Sequence, residues 1–476
     1  MKNEPSSTGR ITAVFLMIAA GFASPAVNGA AAQLSLGDAM RQADRAAYEN
    51  RIARSRTAAE TARSIAPLKG ILPAVRLEAG YVRTTDPIGV FGSTLRQRSV
   101  SQANFDPSRL NYPDAFPNHQ GAIVLEQPLL NADAWTGRHS ASQAAAATRD
   151  LEEWTKLSTR VDVVRVYYGT ALADERVNTL RAASKAAHAH VSQAEALVRQ
   201  GLATKSDALL ASVRAGDIDA QLADAEGAAT NAKQSLAVLL GLGTKEMSSN
   251  TAPLPPANRI RALVGDDTLD VSPAERADVR AALKSSEAAR SNASRARSLI
   301  LPRVNAFARY DWNSADRPFA ENRNWTVGVI ATWSPFTNAA DIADLREASA
   351  QNHGAIAQAE AAQANAHLEL EQTRTALKVS LARLAIAERA VAQSAEAHRI
   401  VGRKYEGGLA QVVELLDAQA VETQSALALS QSRWMTIVAA AERLRALGKD
   451  PASLEALGTP GPSAMTESRS TPVENR

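Results

Sequence analysis

Leu125-Glu126-Gln127-Pro128-Leu129-Leu130-Asn131 and Thr332-Trp333-Ser334-Pro335-Phe336-Thr337-Asn338 are one stretch met twice, with prolines 335 − 128 = 207 residues apart. Gly201-Leu202-Ala203 returns as Gly408-Leu409-Ala410, and 408 − 201 is again 207. Leu240-Gly241 returns as Leu447-Gly448 at the same distance. Upstream, Ile71-Leu72-Pro73 pairs with Ile300-Leu301-Pro302 at 300 − 71 = 229, and Val75, Ala79 and Tyr81 meet Val304, Ala308 and Tyr310 in step. The offset changes once, so the first copy carries 229 − 207 = 22 extra residues between Tyr81 and Pro128. A repeat of this length sets the architecture before any single element does.

Each unit mixes long helices with short strands. Residues 34–68 read as a helix entered near Ser35. Val75, Leu77, Ala79 and Tyr81 then alternate with Arg76, Glu78 and Gly80, the two-residue period of a strand with two different faces. Residues 83–118, with Pro87, Pro107, Pro113 and Pro117, read as a long loop. A second strand covers 119–127, and its facing is open: Ile123 and Leu125 argue for one face, Ala122 and Val124 for the other. From Ala132 to Arg199, Trp154, Leu157, Val161, Val164 and Tyr168 step by threes and fours, the seam of coiled-coil packing. A helix of that length is a rod of roughly 100 Å at 1.5 Å per residue. Gly201 ends it, and Thr204-Lys205-Ser206-Asp207 is a capping box opening a return helix to Leu240.

The second copy repeats the pattern: helix Ala274 to Ile300, strands at 303–312 and 325–334, long helix Ala339 to Lys404, break at Gly407-Gly408, return helix to Leu447. The first repeat is thus 33–241, with strands at 74–83 and 119–127 and a hairpin turn at 199–205. Residues 242–272 read as a linker, the second repeat covers 273–448 with its turn at 406–411, and 449–476 read as a flexible tail.

The last strand is the cleanest. Trp325, Val327, Val329, Ala331 and Trp333 share one face; Thr326, Gly328, Thr332 and Ser334 share the other, with Ile330 out of pattern. The tryptophans are eight residues apart, about 26 Å along a strand. An uncharged face with aromatic ends and a polar opposite face is the pattern of a transmembrane barrel strand. In the strand before it, Val304, Ala306, Ala308, Tyr310 and Trp312 face one way and Arg303, Asn305, Arg309 and Asp311 the other, with Phe307 out of pattern. A soluble sandwich with one wet face stays open on this pattern. Four strands cannot close a barrel alone, since about eight are needed. Pro73, Pro128, Pro302 and Pro335 stand at the helix–strand junctions, where a residue that neither donates to a ladder nor continues a helix belongs.

Composition fits a rod rather than a thick globule: aromatics are only 4% of the chain, and the net charge is +3, with acids and bases alternating along helices. That argues against nucleic acid as a partner. The start, with Lys2, Arg10, the apolar run Ile11 to Phe22 and small residues beyond, reads as a secretory signal peptide over 1–32, cleaved after Ala30 or Ala32. The chain has no Cys, so neither disulfides nor a lipid-bearing cysteine are expected.

Duplicated helix–strand–strand–helix–helix units, the leader, the heptad helices and the Gly-Leu-Ala turns resemble the TolC-like outer-membrane efflux protein family over about residues 33–448. Tyr405-Glu406-Gly407-Gly408-Leu409-Ala410-Gln411, continued by Val412 to Gln419, is similar to that family's second coiled-coil turn; Gly201 to Asp207 is similar to the first. The resemblance implies a homotrimer whose chains share one 12-stranded β-barrel in outer-membrane lipid. Its helices continue as a hollow α-barrel into the periplasm of a Gram-negative bacterium. It implies an exit duct for a tripartite efflux or type I secretion system, partnered by a periplasmic adaptor at the turns Gly201, Leu202, Ala203, Gly408, Leu409 and Ala410 and by an inner-membrane pump. Where such proteins often carry an Arg just after the second turn's Gly, Ala410 stands here, which argues against a salt-bridge latch of that kind. A periplasmic coiled-coil scaffold without a pore is the alternative.

Asp207, Glu414 and Asp417 are the candidate periplasmic gate. As a ring of carboxylates at a narrow aperture they would repel each other and attract cations. As acids in a first helical turn they would only stabilise the helix dipole, by about 0.3–1 kcal/mol each. The capping box favours the second account for Asp207; for the other two the accounts stand level, and only the resemblance favours a gate. Tyr81, Tyr310, Trp312, Trp325 and Trp333 are the expected membrane-interface aromatics. No residues suggest catalysis, a cofactor or a metal. The seven His are scattered, and His188 and His190 point to different helix faces.

Overall fold

The computed structural model describes residues 34–243, 251–264, 272–335 and 339–457. The leader expected over 1–32 and the chain beyond 457 lie outside the described residues.

The duplication is visible to the residue. The chain runs α1 (Leu36–Ala46), α2 (Tyr48–Arg63), β1 (Ala74–Thr84), α3 (Pro87–Arg96), α4 (Pro107–Asn111), β2 (Phe116–Leu130), α5 (Ala132–Arg199), α6 (Lys205–Leu239), α7 (Ala257–Val264), α8 (Ala277–Ser298), β3 (Arg303–Ser314), β4 (Asn322–Thr332), α9 (Ala339–Glu406) and α10 (Val412–Ala446). Helices α5 and α9 have 68 residues each, α6 and α10 have 35 each, and every boundary of the second pair is the first plus 207. At 1.5 Å per residue the two long helices span about 100 Å. Helix α5 packs on α6 toward its C-terminal end, α9 pairs with α10 in the same way, and α10 joins the two hairpins through α5. Nearer the sheet, α2 and α8 lie against α5, and α8 also packs on α9.

The four strands form one antiparallel sheet in the order β1-β2-β3-β4. The ladder is regular apart from a register shift between Pro128 and Leu130, where β2 meets Asn305 and Val304 of β3. Proline lacks the N–H a ladder needs, so a bulge is where β2 can carry one. Among the described residues, no helix is long and apolar enough to cross a membrane.

The core is a belt partway along the rod. Tyr167, Tyr168, Leu236, Leu240, Ile260, Leu384 and Ile437 are all fully buried there. Three sequence expectations are corrected at or beside this belt. The helix expected over 34–68 is two helices, because Ala47 leaves the helical region (ψ 135). The break is satisfied from within: Asn50 Nδ2 donates to the Ala43 carbonyl at 3.1 Å, and Arg54 Nη2 donates to those of Asp44 and Arg45 at 3.0 and 2.8 Å. Such side-chain donors replace the partners a helix end loses. Secondly, the stretch 242–272 is not simply a linker. Leu254, Ala257 and Ile260 enter the core, Leu34 bridges Thr251, and Tyr167 Oη both donates to the Leu34 carbonyl (2.6 Å) and accepts from Ala252 N–H (2.9 Å). Thirdly, the tail is packed at its start: Pro451–Leu457 forms a 3-10 turn that buries Pro451, Leu454 and Leu457. In the second and third cases an apolar residue spaced too sparsely to show a period has a buried partner far away in sequence. The loop expected over 83–118 likewise holds α3 and α4.

Candidate functional site

Register assigns the faces of the sheet. Tyr310 is paired with Ile123 and with Trp325, and Ile123 with Leu77; Ala308 is paired with Leu125 and Val327, and Leu125 with Val75. Paired residues point the same way. Val75, Leu77, Ile123, Leu125, Tyr310, Trp325, Val327 and Val329 therefore make one apolar face, and all eight are well exposed within the chain, Trp325 at 71% and Val327 and Val329 at 64%. Its charged members, Arg83 and Arg323, stand at the end away from the long helices.

The opposite face is charged and internally paired. Arg76 binds Glu126 at 2.6 Å, and Arg309 of β3 reaches over β2 to Glu78 of β1 at 2.9 Å. That second bridge resolves the facing of β2. It passes over the two residues that made the facing ambiguous, Ala122 and Val124, which lie beneath the charged side chains at 1% and 7% exposure. They are apolar residues on the polar face, covered by an ion pair rather than by a core. Phe307, out of pattern in the sequence, also lies on this face, against Gly328; a Cβ there would fall 2.7 Å from the Phe307 ring.

The aromatics gather at the two ends of the apolar face. Tyr310 packs edge-on to Trp312 (4.8 Å between centroids), Trp312 to Phe319 (5.5 Å), and Tyr81 lies on His119 (4.6 Å). At the helical end Trp333 donates from Nε1 to the Ile300 carbonyl at 3.0 Å while remaining 64% exposed. Trp135, in the first turn of α5, is also exposed at this end. The sequence alone did not single it out, because a tryptophan within a helix start carries no strand period.

The hairpin tips lie at the other end of the rod. Gly201 and Gly408 take φ of 75° and 72°. In each turn the following residue donates back to the helix, Leu202 N–H to the Leu197 carbonyl (2.9 Å) and Leu409 N–H to that of Lys404 (2.8 Å). This is a Schellman closure, which requires the left-handed conformation glycine adopts freely. Leu202 and Leu409 are 73% and 82% exposed, with Ala203 and Ala410 half-buried behind them. The two tips are held together by Ala194, Ala211, Tyr405, Val412, Leu415 and Leu416.

The three candidate acids separate here. Asp207 forms the reciprocal capping box with Thr204, its Oδ2 accepting from Thr204 N–H at 2.9 Å. It also faces Tyr405: burial first, and the Asp207 carboxylate second, push the Tyr405 phenol up. Glu414 is the duplicate of Asp207, since 207 + 207 = 414, but its N-cap is Gln411, whose side chain makes no capping bond. Asp417 matches Leu210 of the first hairpin. Glu414 and Asp417 are both exposed, on the side of α10 away from the buried Leu415, Leu416 and Gln419. Among the described residues no group of three His, Asp or Glu is placed to hold a metal ion.

Just above the tips, His190 of α5 meets His398 of α9 at 6.1 Å between centroids, and Glu422 of α10 binds His398 Nδ1. The His190 Nε2 is buried without a partner. Burial, and secondarily His398, hold its pKa below the usual histidine value, with Gln193 opposing. The folded chain therefore binds fewer protons than the unfolded one as pH falls through the histidine range, and stability drops on acidification. Between about pH 7 and pH 5 the wild-type melting temperature is expected to fall more than that of His190→Gln. Parallel melting curves across that range check it, and equal slopes would refute it.

Comparison with known proteins places this geometry. The sequence profile of the family described as "Outer membrane efflux protein" matches residues 46–242 and 269–448. No curated protein sequence matches the chain. Among solved structures, the outer membrane protein VceC of Vibrio cholerae is 20% identical, with a TM-score of 0.71 over 87% of this chain and 96% of that one. The Campylobacter jejuni CmeC outer membrane channel is 15% identical, with a TM-score of 0.72 over 87% of this chain and 85% of that one. The open state of the Neisseria gonorrhoeae MtrE outer membrane channel is 17% identical, with a TM-score of 0.68 over 87% and 89%. At these identities the likeness is one of fold.

Proposed function

The chain belongs to the outer membrane efflux protein family, a family of outer-membrane efflux channels, and from that premise we propose that three copies close one barrel and one continuous duct. The observation that carries this reading is the sheet. It exposes on one side an apolar face whose charges, Arg83 and Arg323, stand only at the end away from the helices, on the other a charged, ion-paired face, and it leaves unpaired edges at β1 and β4. Four strands cannot close. Pairing β4 of one copy with β1 of the next is a head-to-tail contact that closes into a ring, and three copies give 12 strands. The apolar face then meets lipid and the ion pairs of Arg76, Arg309, Glu78 and Glu126 line water. Below it, α5, α6, α9 and α10 of three chains would enclose the periplasmic duct. The exposed tips around Leu202 and Leu409 would dock a periplasmic adaptor, with an inner-membrane pump supplying the energy. The duct itself performs no chemistry. A pore-less scaffold is disfavoured, because it has no use for an exposed sheet face that is apolar everywhere but at one end.

Mass measurement of the protein purified in mild detergent tests the assembly: a trimer is expected, and a stable monomer would overturn it. The tip is tested by charge. Glu414 and Asp417 have exposed carboxylates outside any capping box, so six of them would stand around the aperture of a trimer. Glu414→Gln with Asp417→Asn is expected to leave the trimer intact, reduce cation selectivity in single-channel recordings, and weaken block by multivalent cations from the periplasmic side. Unchanged selectivity with slightly lower thermal stability would return both to the role of helix-start acids.

A further inference from the structure

The extra segment of the first copy is not a slack loop. Strands β1 and β2 are joined by the long stretch 85–115, whereas only 315–321 join β3 and β4. Connections as long as the first commonly serve a function in a folded domain. This one crosses the sheet. Gln97, directly after α3, donates from Nε2 to Asn118 Oδ1 and to the Pro117 carbonyl, both at 2.9 Å. Asn118 Nδ2 donates to Asn313 Oδ1 at 3.0 Å, and Asn313 Nδ2 to Asp311 Oδ2 at 2.9 Å. Asn322 of β4 donates to the Gln97 carbonyl, and Arg98, at φ 54°, donates to the Arg323 carbonyl at 3.3 Å.

Three features of this clamp matter. By register, Asn313 is paired with Gln120 and Asn322, and Asn118 lies two residues before Gln120, so the clamp sits on the charged face, at the end away from the helices. It is buried, with Gln97, Asn118 and Asn313 at 8%, 4% and 2% exposure, and a satisfied buried polar chain is stiff. It also runs from the β1–β2 connection across β2 and β3 to β4, three of the four strands. The β3–β4 tip does the opposite, laying Phe319 over Gly121 on the apolar face, where a Cβ would meet its ring at 2.7 Å.

We infer that residues 85–115 form a fixed lid on the inner rim of the barrel's outer mouth, one from each copy, which limits the size of solute that passes between lumen and exterior. The inference rests on the channel reading. The clamp holds α3 inside the rim, so the lid narrows the exit whether or not the periplasmic tips are open. Ile88 and Leu95 of α3, 84% and 52% exposed, are then turned to the space that the three copies share.

The absence of cysteine allows a direct test, with reagents added outside whole cells. Thr326→Cys puts a thiol on the inner face of β4, below the lid, and Val327→Cys is the control on the outer face. A polyethylene-glycol maleimide too bulky for porins and a small maleimide are compared on the full chain, on a chain with 87–113 replaced by a short Gly-Ser turn, and on the full chain with Gln97→Leu and Asn118→Leu. The small reagent is expected to label Thr326→Cys in every background and Val327→Cys in none. The bulky reagent is expected to react with Thr326→Cys about tenfold faster once the segment is removed or unclamped, because pore diameter controls its entry. Equal bulky-reagent rates in all three backgrounds would overturn the lid and leave the channel standing. A Thr326→Cys that even the small reagent never labels would overturn the water-filled lumen, and the lid with it. If the shortened chain does not assemble, the Gln97→Leu, Asn118→Leu chain decides by the same rates.

Discussion

Val329→Arg is expected to abolish the assembled channel, while Thr326→Arg, three residues away on the opposite face, is expected to leave it intact. Val329 lies midway between Trp325 and Trp333 and is 64% exposed on the apolar face. An arginine at the midplane of the lipid face costs about 2–4 kcal/mol, and a trimer would meet that cost three times. Thr326 is paired with Arg309, on the face where charge is already ion-paired. The check is trimer yield in outer-membrane fractions, measured by the heat-modifiable band on gels. Equal yields for the two variants would mean that the faces are assigned the wrong way round.

The second large effect is expected far from the membrane. Arg276, at the N-cap of α8, is only 2% exposed. It binds Asp278 at 2.8 Å and Glu369 of α9 at 2.6 Å, donates to the Ala446 carbonyl at the end of α10, and stacks on Trp154 of α5 at 4.7 Å. Arg445 also lies over the Trp154 ring, at 5.2 Å, and binds Glu369 at 2.6 Å. Burial alone would lower the Arg276 pKa; the two carboxylates more than offset it, and the net shift is upward. One side chain thus ties the start of the second repeat to both of its long helices and to the first repeat. Removing a partner from a fully buried pair costs about 3–5 kcal/mol; here Glu369 keeps Arg445 and both carboxylates are about a quarter exposed, so the cost falls toward the lower end. Arg276→Ala is therefore expected to lower the thermal midpoint strongly. Arg63→Ala, which loses an exposed pair with Glu60, is expected to shift it little, since such pairs contribute about 0–1 kcal/mol. Comparable shifts for the two would show that the cluster is not a structural tie.

The features legible without coordinates were those written in local pattern. The 207-residue offset located both hairpins, the two-residue period assigned the faces of β1 and β4, and Gly201 and Gly408 marked turns because a left-handed residue after a helix selects glycine. The acids at the tips were visible too, but their surroundings were not. Asp207 and Glu414 occupy equivalent positions in the repeat, yet only the first has a Thr to cap and a Tyr405 to face. A ring of these charges would be made by copies of the chain and not by one, so no single chain's sequence spells it out.

Where the sequence misled or was silent, the cause was a partner beyond the reach of a local period, and in all but the break at Ala47 that partner lies far along the chain. Ala122 and Val124 left the facing of β2 open, and Arg309, reaching across them to Glu78, decides it. The helix break at Ala47 depends on Asn50 and Arg54 folding back onto carbonyls, and the apolar residues of 251–264 find their core only around Tyr167. The clamp from Gln97 to Asn322 joins the first repeat to the second. Periodicity and glycine placement act within a few residues, so the repeat, the long helices, the strands and the hairpin turns were already settled by the order of the amino acids. Which face of β2 is wet, which stretches between elements are packed, and that the added segment folds across the charged face of the sheet were settled by contacts between remote residues, and such contacts leave no period in the chain.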